Sequence, residues 1–246
     1  MIQLYSTMQA KLSRAIVLSA EDRGEYDREY RLFTVDYGMV RARAAGVRRP
    51  GAKMVSLLNP GNLVELELTL GKRWYRIGGG LLIADYSGLR GSSMYRGTVE
   101  LFELLSRILP EEQVEPHALS ILLSVLESFP AISPTKQALW WEYSWWQVLG
   151  ALGYTPDWTV SAQSHEPLPA DGEYVFLPSG GGVCEISEIH PRYRDAVIPV
   201  DRETLKLLRL LGEHDARIVD KLVVTEPILA QAAQVRSEYG RFLRNQ

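Results

Sequence analysis

The chain has 246 residues, enough for one large domain or two small ones, and its 46% hydrophobic and 23% charged composition is that of a globular protein with a buried core. A single cysteine, Cys184, excludes an intramolecular disulfide; there is no charged-then-apolar signal pattern at the N-terminus, and no stretch approaches the roughly 20 apolar residues that span a bilayer, so a cytoplasmic protein without a membrane segment is expected. The net charge of −3 divides unevenly, with 13 Lys and Arg against 8 Asp and Glu in residues 1–80 and 14 against 22 in residues 81–246. A basic first part on an acidic remainder points to a polyanionic partner, against the plainer alternative of a chance imbalance of a few charges.

Residues 11–19 read as a first strand. From Arg28 to Val35 and from Met39 to Ala45 the chain alternates, and Asp36-Tyr37-Gly38 between the runs makes a hairpin turn with glycine where a positive φ is expected. In the second of these strands Val40, Ala42 and Ala44 fall on one face, Arg41 and Arg43 on the other. The basic face continues through Gly46-Val47-Arg48-Arg49-Pro50 to Lys53, as a loop, because proline removes a donor and restricts the residue before it. Met54 to Leu58 reads as a helical turn. Asn62 to Leu70 reads as a strand with Val64, Leu66, Leu68 and Leu70 facing one way and Leu63, Glu65, Glu67 and Thr69 the other, and Trp74 to Ala84 supplies a fifth strand. Five strands with a helix between the third and fourth is the order of an OB-fold, whose face binds single strands through a basic groove and aromatic rings. Tyr26, Tyr30, Tyr37 and Trp74 are candidate rings, with barrel core or rim the preferred reading of each; Tyr37, in a turn, is expected to be exposed and is the foremost candidate.

From about residue 87 the period becomes helical. Val99, Phe102, Leu105, Ile108 and Leu109 form one apolar stripe, and Leu119, Leu122, Leu123, Leu126 and Phe129 another. A third helix is expected to start at Ser133-Pro134, a capping serine with proline at the first helical position. Trp141, Trp145, Val148, Leu149 and Leu152 share one of its faces, while Trp140, Tyr143 and Trp146 lie on adjacent ones. Such a helix is either buried or an exposed aromatic groove, and burial is the preferred reading. Residues 153–199 break the helical pattern with Gly, Pro and Ser. Asp201 then reads as a cap before Leu205, Leu207, Leu208 and Leu211, and Thr225 as the cap of a final helix presenting Ile228, Leu229, Ala232, Val235, Tyr239, Phe242 and Leu243. Arg236, Arg241 and Arg244 lie towards its end, where cations suit the helix dipole.

Catalytic signatures are missing. Gly78 to Gly80 and Gly180 to Gly182 do not continue into the Gly-Lys-Ser/Thr of a phosphate-binding loop, and no nucleophile elbow or paired-histidine metal motif occurs. The residues therefore suggest no enzyme, with a hydrolase whose groups meet only in space as the outlying alternative.

Several segments, in order and at matching spacing, carry a family likeness: AIVLSAEDRGEYDR (15–28), LFTVDYG from Leu32 to Gly38, GVRRP from Gly46 to Pro50, LLNPGNLVELELTL (57–70), LGALGYTPD (149–157) and GGGVC (180–184). Together they resemble the RecO recombination mediator family over nearly the whole chain. The resemblance implies an α+β protein: a five-stranded OB-fold β-barrel over 1–84, then an α-helical domain over 85–246. It implies a DNA repair and homologous recombination mediator, nucleoid-associated, that binds single- and double-stranded DNA, anneals strands and helps load recombinase onto DNA coated by single-strand-binding protein, with RecR as a further partner. On this reading Arg14, Arg41, Arg43, Arg48, Arg49, Lys53 and Tyr37 face DNA, and Arg241 anchors the acidic, apolar C-terminal tail of single-strand-binding protein at an apolar pocket rimmed by arginines. The alternative is a non-catalytic protein-binding adaptor of the same fold with weak DNA affinity.

Many relatives carry a Cys-x-x-Cys pair after the LGY-x-P segment and another at GG-x-x-C, spacing suited to tetrahedral zinc. Here the four slots fall at Ser161, Ser164, Cys184 and Ser187, with His165 and His190 outside them. Residues 153–199 are accordingly expected to be a degenerate zinc-finger-like insertion that keeps its shape by packing Tyr174, Phe176 and Val183, without metal or other cofactor.

Overall fold

The computed structural model describes residues 10–86, 95–192, 197–213 and 215–246. The expected change to helical period at about residue 87 falls in 87–94, outside the described residues. The chain divides into two compact units, Met1–Leu119 and Ser120–Gln246.

Five strands build the first unit: β1 (Lys11–Arg23), β2 (Asp27–Thr34), β3 (Gly38–Ala44), β4 (Asn62–Leu70) and β5 (Tyr75–Asp85), with a short α1 (Met54–Leu57) between β3 and β4. They close into a barrel in the order β1-β2-β3-β5-β4. β1 runs four residues past its expected end because it serves two neighbours: Lys11 to Ile16 pair with β4, and Ala15 to Arg23 pair with β2, with a register shift between Val17 and Ser19 that bends the strand from one to the other. The closing seam, β3 on β5, is parallel and consists of two pairs, Ala42 with Tyr75 and Arg43 with Arg76.

The period-two pattern positions the core. Val40, Ala42 and Ala44 are buried inside the barrel with Ala15, Val17, Leu32, Val64, Leu66 and Leu68, and Leu58, just after α1, is buried with them. Burying each larger aliphatic side chain stabilises the barrel by about 1.5–3 kcal/mol. Two positions on β4 depart from the alternation: Leu70, at the strand's end, is 53% exposed, whereas Leu63 on the other face is buried. Gly38 has φ of +67°, and a Cβ there would collide with the Gln113 carbonyl, while the Glu112 amide donates to Met39 O at 2.9 Å. The β2–β3 turn thus needs glycine twice over, for its conformation and for the passing chain.

α2 (Tyr95–Ile108) packs on β1, burying Leu101, Phe102, Leu104 and Leu105. Val99, expected in that stripe, lies at its edge and is exposed. In α3 (Pro116–Ser128) Leu119, Leu122, Val125 and Leu126 are buried and Leu123 is half-buried.

In the second unit the helix expected at Ser133-Pro134 starts later, as α4 (Gln137–Ala151). Ser133 O accepts the Lys136 amide at 2.9 Å, so residues 133–136 form a separate turn, and the helical ladder opens only with Trp140 N to Lys136 O. Every residue from Leu139 to Trp146 is buried, which decides between the two readings of this aromatic helix in favour of burial. Its Trp146 stacks on Tyr239, rings 6.1 Å apart at 20°, and meets Trp158 edge-on at 5.0 Å. Glu142, also buried, receives Arg236 Nε at 2.7 Å; burial pushes its carboxyl up against the pull of that guanidinium. A three-stranded antiparallel sheet follows, β7-β6-β8, from β6 (Tyr174–Leu177), β7 (Gly182–Glu185) and β8 (Ile198–Val200). Then come α5 (Arg202–Glu213), α6 (Arg217–Lys221) and α7 (Glu226–Arg244). Asp201 caps α5 as expected, Oδ1 accepting the Thr204 amide at 2.7 Å. Thr225 sits at the N-cap of α7, but its side chain makes no capping bond.

Candidate nucleic-acid interface

The β-hairpin sequence puts Arg41 and Arg43 on the barrel's outer surface, and the register decides what they meet. Arg41 Nε and Nη2 both donate to Glu29 Oε1, at 3.1 and 3.0 Å, while Arg23 Nε donates to the other oxygen of this buried carboxylate at 2.9 Å. Arg43 Nη2 reaches Asp27 Oδ2 at 2.7 Å, and Asp27 Oδ1 accepts the Gly46 amide at 2.7 Å. The Gly46 amide foremost, then Arg43, holds the Asp27 carboxyl below the usual carboxylate range. Arg48 lies 3.1 Å from Asp22, which Arg28 also contacts at 2.6 Å; Arg28, with Arg48 adding to it, holds Asp22 low in the same way. Three of the arginines selected from sequence are therefore held by carboxylates of the β1–β2 hairpin. The exposed pairs at Asp27 and Asp22 add only about 0–1 kcal/mol each to stability, but they fix where the guanidiniums point, as buried Glu29 does for Arg41.

The other selected residues lie as follows. Arg49 stands over the Tyr26 ring at 5.6 Å, and Tyr26 is exposed. Lys53 is exposed just before α1. Arg14 is exposed on β1 near the Thr34 end of the hairpin. About eight residues of strand, at about 3.3 Å each, separate it from the Asp27 end where Arg43 and Arg48 sit, so it is not brought to the row. Tyr37 is half-buried rather than exposed: its turn folds back on the barrel, and its ring packs 5.6 Å from that of Tyr75.

Barrel closure adds a group that the strand pattern did not single out. The tight turn between β4 and β5, closed by Gly71 N to Trp74 O at 3.0 Å, presents Lys72 and Arg73 to solvent, and the start of β5 presents Arg76. With Arg23, Arg43 and Trp74 they line a cleft of about 510 Å³. One face of Trp74 is covered by the Arg41 guanidinium, 4.5 Å from the ring centroid. Lys72, Arg73 and Arg76 have no carboxylate partner among the described residues. The signal for them was local, three cations and two rings within Lys72-Arg73-Trp74-Tyr75-Arg76. Chemically, the cleft offers unpaired cations and an aromatic edge, the requirements of a phosphate backbone with unstacked bases.

In the second unit Arg241 is exposed and paired with Glu238 one turn back in α7. A cleft of about 550 Å³ lies beside α7, lined by Leu177, Pro178, Ile189 and Phe242 with Glu188 and His190; no arginine among the described residues lines it.

Ser161 Oγ donates to Glu188 Oε2 and Ser164 Oγ to Glu188 Oε1, each at 2.5 Å, and Ser187 is exposed. Burial raises the Glu188 carboxyl, yet the bonds from Ser161, Ser164 and the Glu185 amide together outweigh it and hold it low. Cys184 is buried, and burial, with Glu188 nearby, pushes its thiol up to about 11. Three hydroxyls and a single thiol do not fit structural zinc, which takes four ligands from thiolate, imidazole or carboxylate. Among the described residues no three His, Cys, Asp or Glu side chains are grouped to hold a metal ion.

A closed barrel in this strand order, with a helix between its third and fourth strands, defines an OB-fold protein. Two family models cover most of it, Recombination protein O N terminal at residues 8–86 and Recombination protein O C terminal at residues 99–242. The chain belongs to the RecO family, and its role lies in DNA repair and recombination. It is 28% identical over 221 residues to the DNA repair protein RecO of Dehalococcoides mccartyi, covering 89% of this chain and 85% of that one. The protein of the same name from Geobacter metallireducens is 30% identical over 179 residues, 72% of each chain. That of Caldanaerobacter subterraneus is 24% identical over 232 residues, 93% of this chain and 91% of its own. No helix among the described residues is long and apolar enough to cross a membrane.

Proposed function

We propose that the chain is a recombination mediator that works by binding rather than catalysis. The barrel holds single- and double-stranded DNA, the protein anneals complementary strands, and it helps load recombinase onto DNA coated by single-strand-binding protein. The observation that carries this reading is the cleft at the β4–β5 turn, where Lys72, Arg73 and Arg76 stand without a carboxylate partner among the described residues, beside Trp74 and the arginine row of β3. RecR and the acidic tail of single-strand-binding protein are its protein partners, the tail engaging the second unit near Arg241, and its place of action is the nucleoid in the cytoplasm. A second reading, an adaptor with weak DNA affinity, draws support from the pairing of Arg41, Arg43 and Arg48 with Glu29, Asp27 and Asp22. Single-strand binding and strand annealing by the purified full-length protein separate the two. Salt-sensitive binding with annealing faster than the spontaneous rate supports the mediator; a folded protein that does neither leaves the adaptor.

A further inference from the structure

We infer that the carboxylate of Glu188 is the cross-link of the module between Asp157 and His190, in the role that the family resemblance gives to a metal ion. Two stretches must be tied together, the turn at Ser161 to Ser164 and the segment from Cys184 to Glu188. Ser161 Oγ and Ser164 Oγ, from the first, each donate to a different oxygen of Glu188, in the second, both at 2.5 Å. The turn is itself closed on Ser161, whose Oγ accepts the amides of Gln163 at 3.1 Å and Ser164 at 3.3 Å. On the other side Glu188 Oε2 accepts the Glu185 amide at 3.3 Å, folding its own segment around the carboxylate. One backbone bond, Ala162 N to Val183 O at 2.8 Å, runs alongside.

A single anion thus gathers three donors from two segments. Hydroxyl–carboxylate bonds are charge-assisted and about twice as strong as neutral ones. The bidentate grip also orients the group, as a tetrahedral ion would orient its ligands. Because the chain supplies the joint, the module needs nothing from solution to close. Cys184, the one thiol of the protein, is left as a small hydrophobe packed with Val175 and Ile189.

That buried thiol reports on the joint. In the full-length protein, labelling of Cys184 by a thiol reagent requires the module to open. Wild-type protein should label slowly and at the same rate with and without EDTA. Glu188→Ala should label roughly tenfold faster or more, since all three bonds to the carboxylate are lost from the closed state. Ser164→Ala, which removes one exposed hydroxyl, should give a smaller increase and serves if Glu188→Ala does not fold. Faster labelling of wild-type protein in EDTA, or one zinc per chain by elemental analysis, would overturn the inference, as would unchanged labelling in either variant.

Discussion

The unpaired cations of the β4–β5 turn make a quantitative claim about DNA binding. A phosphate that meets a free cation releases counterions condensed on the strand, and each such contact with a single strand contributes about 0.7 to the slope of log affinity against log salt. A phosphate that displaces a carboxylate from its arginine exposes a new protein charge, which recruits a cation and cancels part of the release. Lys72, Arg73 and Arg76 are of the first kind, while Arg41, Arg43 and Arg48 are of the second. Lys72→Ala/Arg73→Ala/Arg76→Ala should therefore flatten the slope by about 2 and, at 0.1 M salt relative to the value extrapolated to 1 M, weaken binding about a hundredfold. Arg48→Ala should flatten it by less than about 0.7. The assay is fluorescence anisotropy of a labelled oligonucleotide over a salt series, with the thermal midpoint of each variant as the check on folding. A folded triple variant with an unchanged slope would refute the reasoning.

Replacing Arg48 and Arg49 together by glutamate adds two negative charges beside Asp22 and removes the Tyr26 contact, so single-strand affinity should fall by more than about tenfold for all sequences alike, measured with oligonucleotides of different composition. In the second unit Arg236→Ala leaves the buried Glu142 carboxylate without its guanidinium and should cost about 3–5 kcal/mol in denaturant unfolding, whereas Glu142→Met/Arg236→Met should cost less than either single change. Asp22 and Asp27 are held below their unfolded values, so their contribution is present above roughly pH 4 and is lost as pH falls through the folded values; thermal midpoints should drop in that acid range, and Asp27→Asn should blunt the drop.

What could be read from sequence was what strand and helix periods encode. Val40-Arg41-Ala42-Arg43-Ala44 declares its two faces because side chains alternate, and Asn62 to Leu70 does the same. The carboxylates that hold the arginines could not be read this way, since Glu29 and Asp27 meet them across a ladder whose register depends on the turn at Gly38. Lys72, Arg73 and Arg76 join Arg23 and Arg43 only through barrel closure, a contact between distant parts of the chain. Ser133-Pro134 carries the signature of a helix start, yet a turn satisfies the same preferences. Ser161 and Ser164 are marked in sequence only by what they lack; their hold on Glu188 is a tertiary fact.

The two-pair seam between β3 and β5 sets how the barrel breathes. Every other junction in the barrel is a longer ladder, so the seam has the least to lose when it parts. Fluctuations of a folded sheet concentrate where pairing is thinnest, and those amides of Ala42, Arg43, Tyr75 and Arg76 that point across the seam should exchange with solvent ahead of those in the β1–β4 ladder. Arg43 stands on one lip of this seam and Arg76 on the other, both lining the cleft. A polyanion lying across them would act as a stitch, slowing exchange along the gap and coupling occupancy of the surface to the rigidity of the whole barrel.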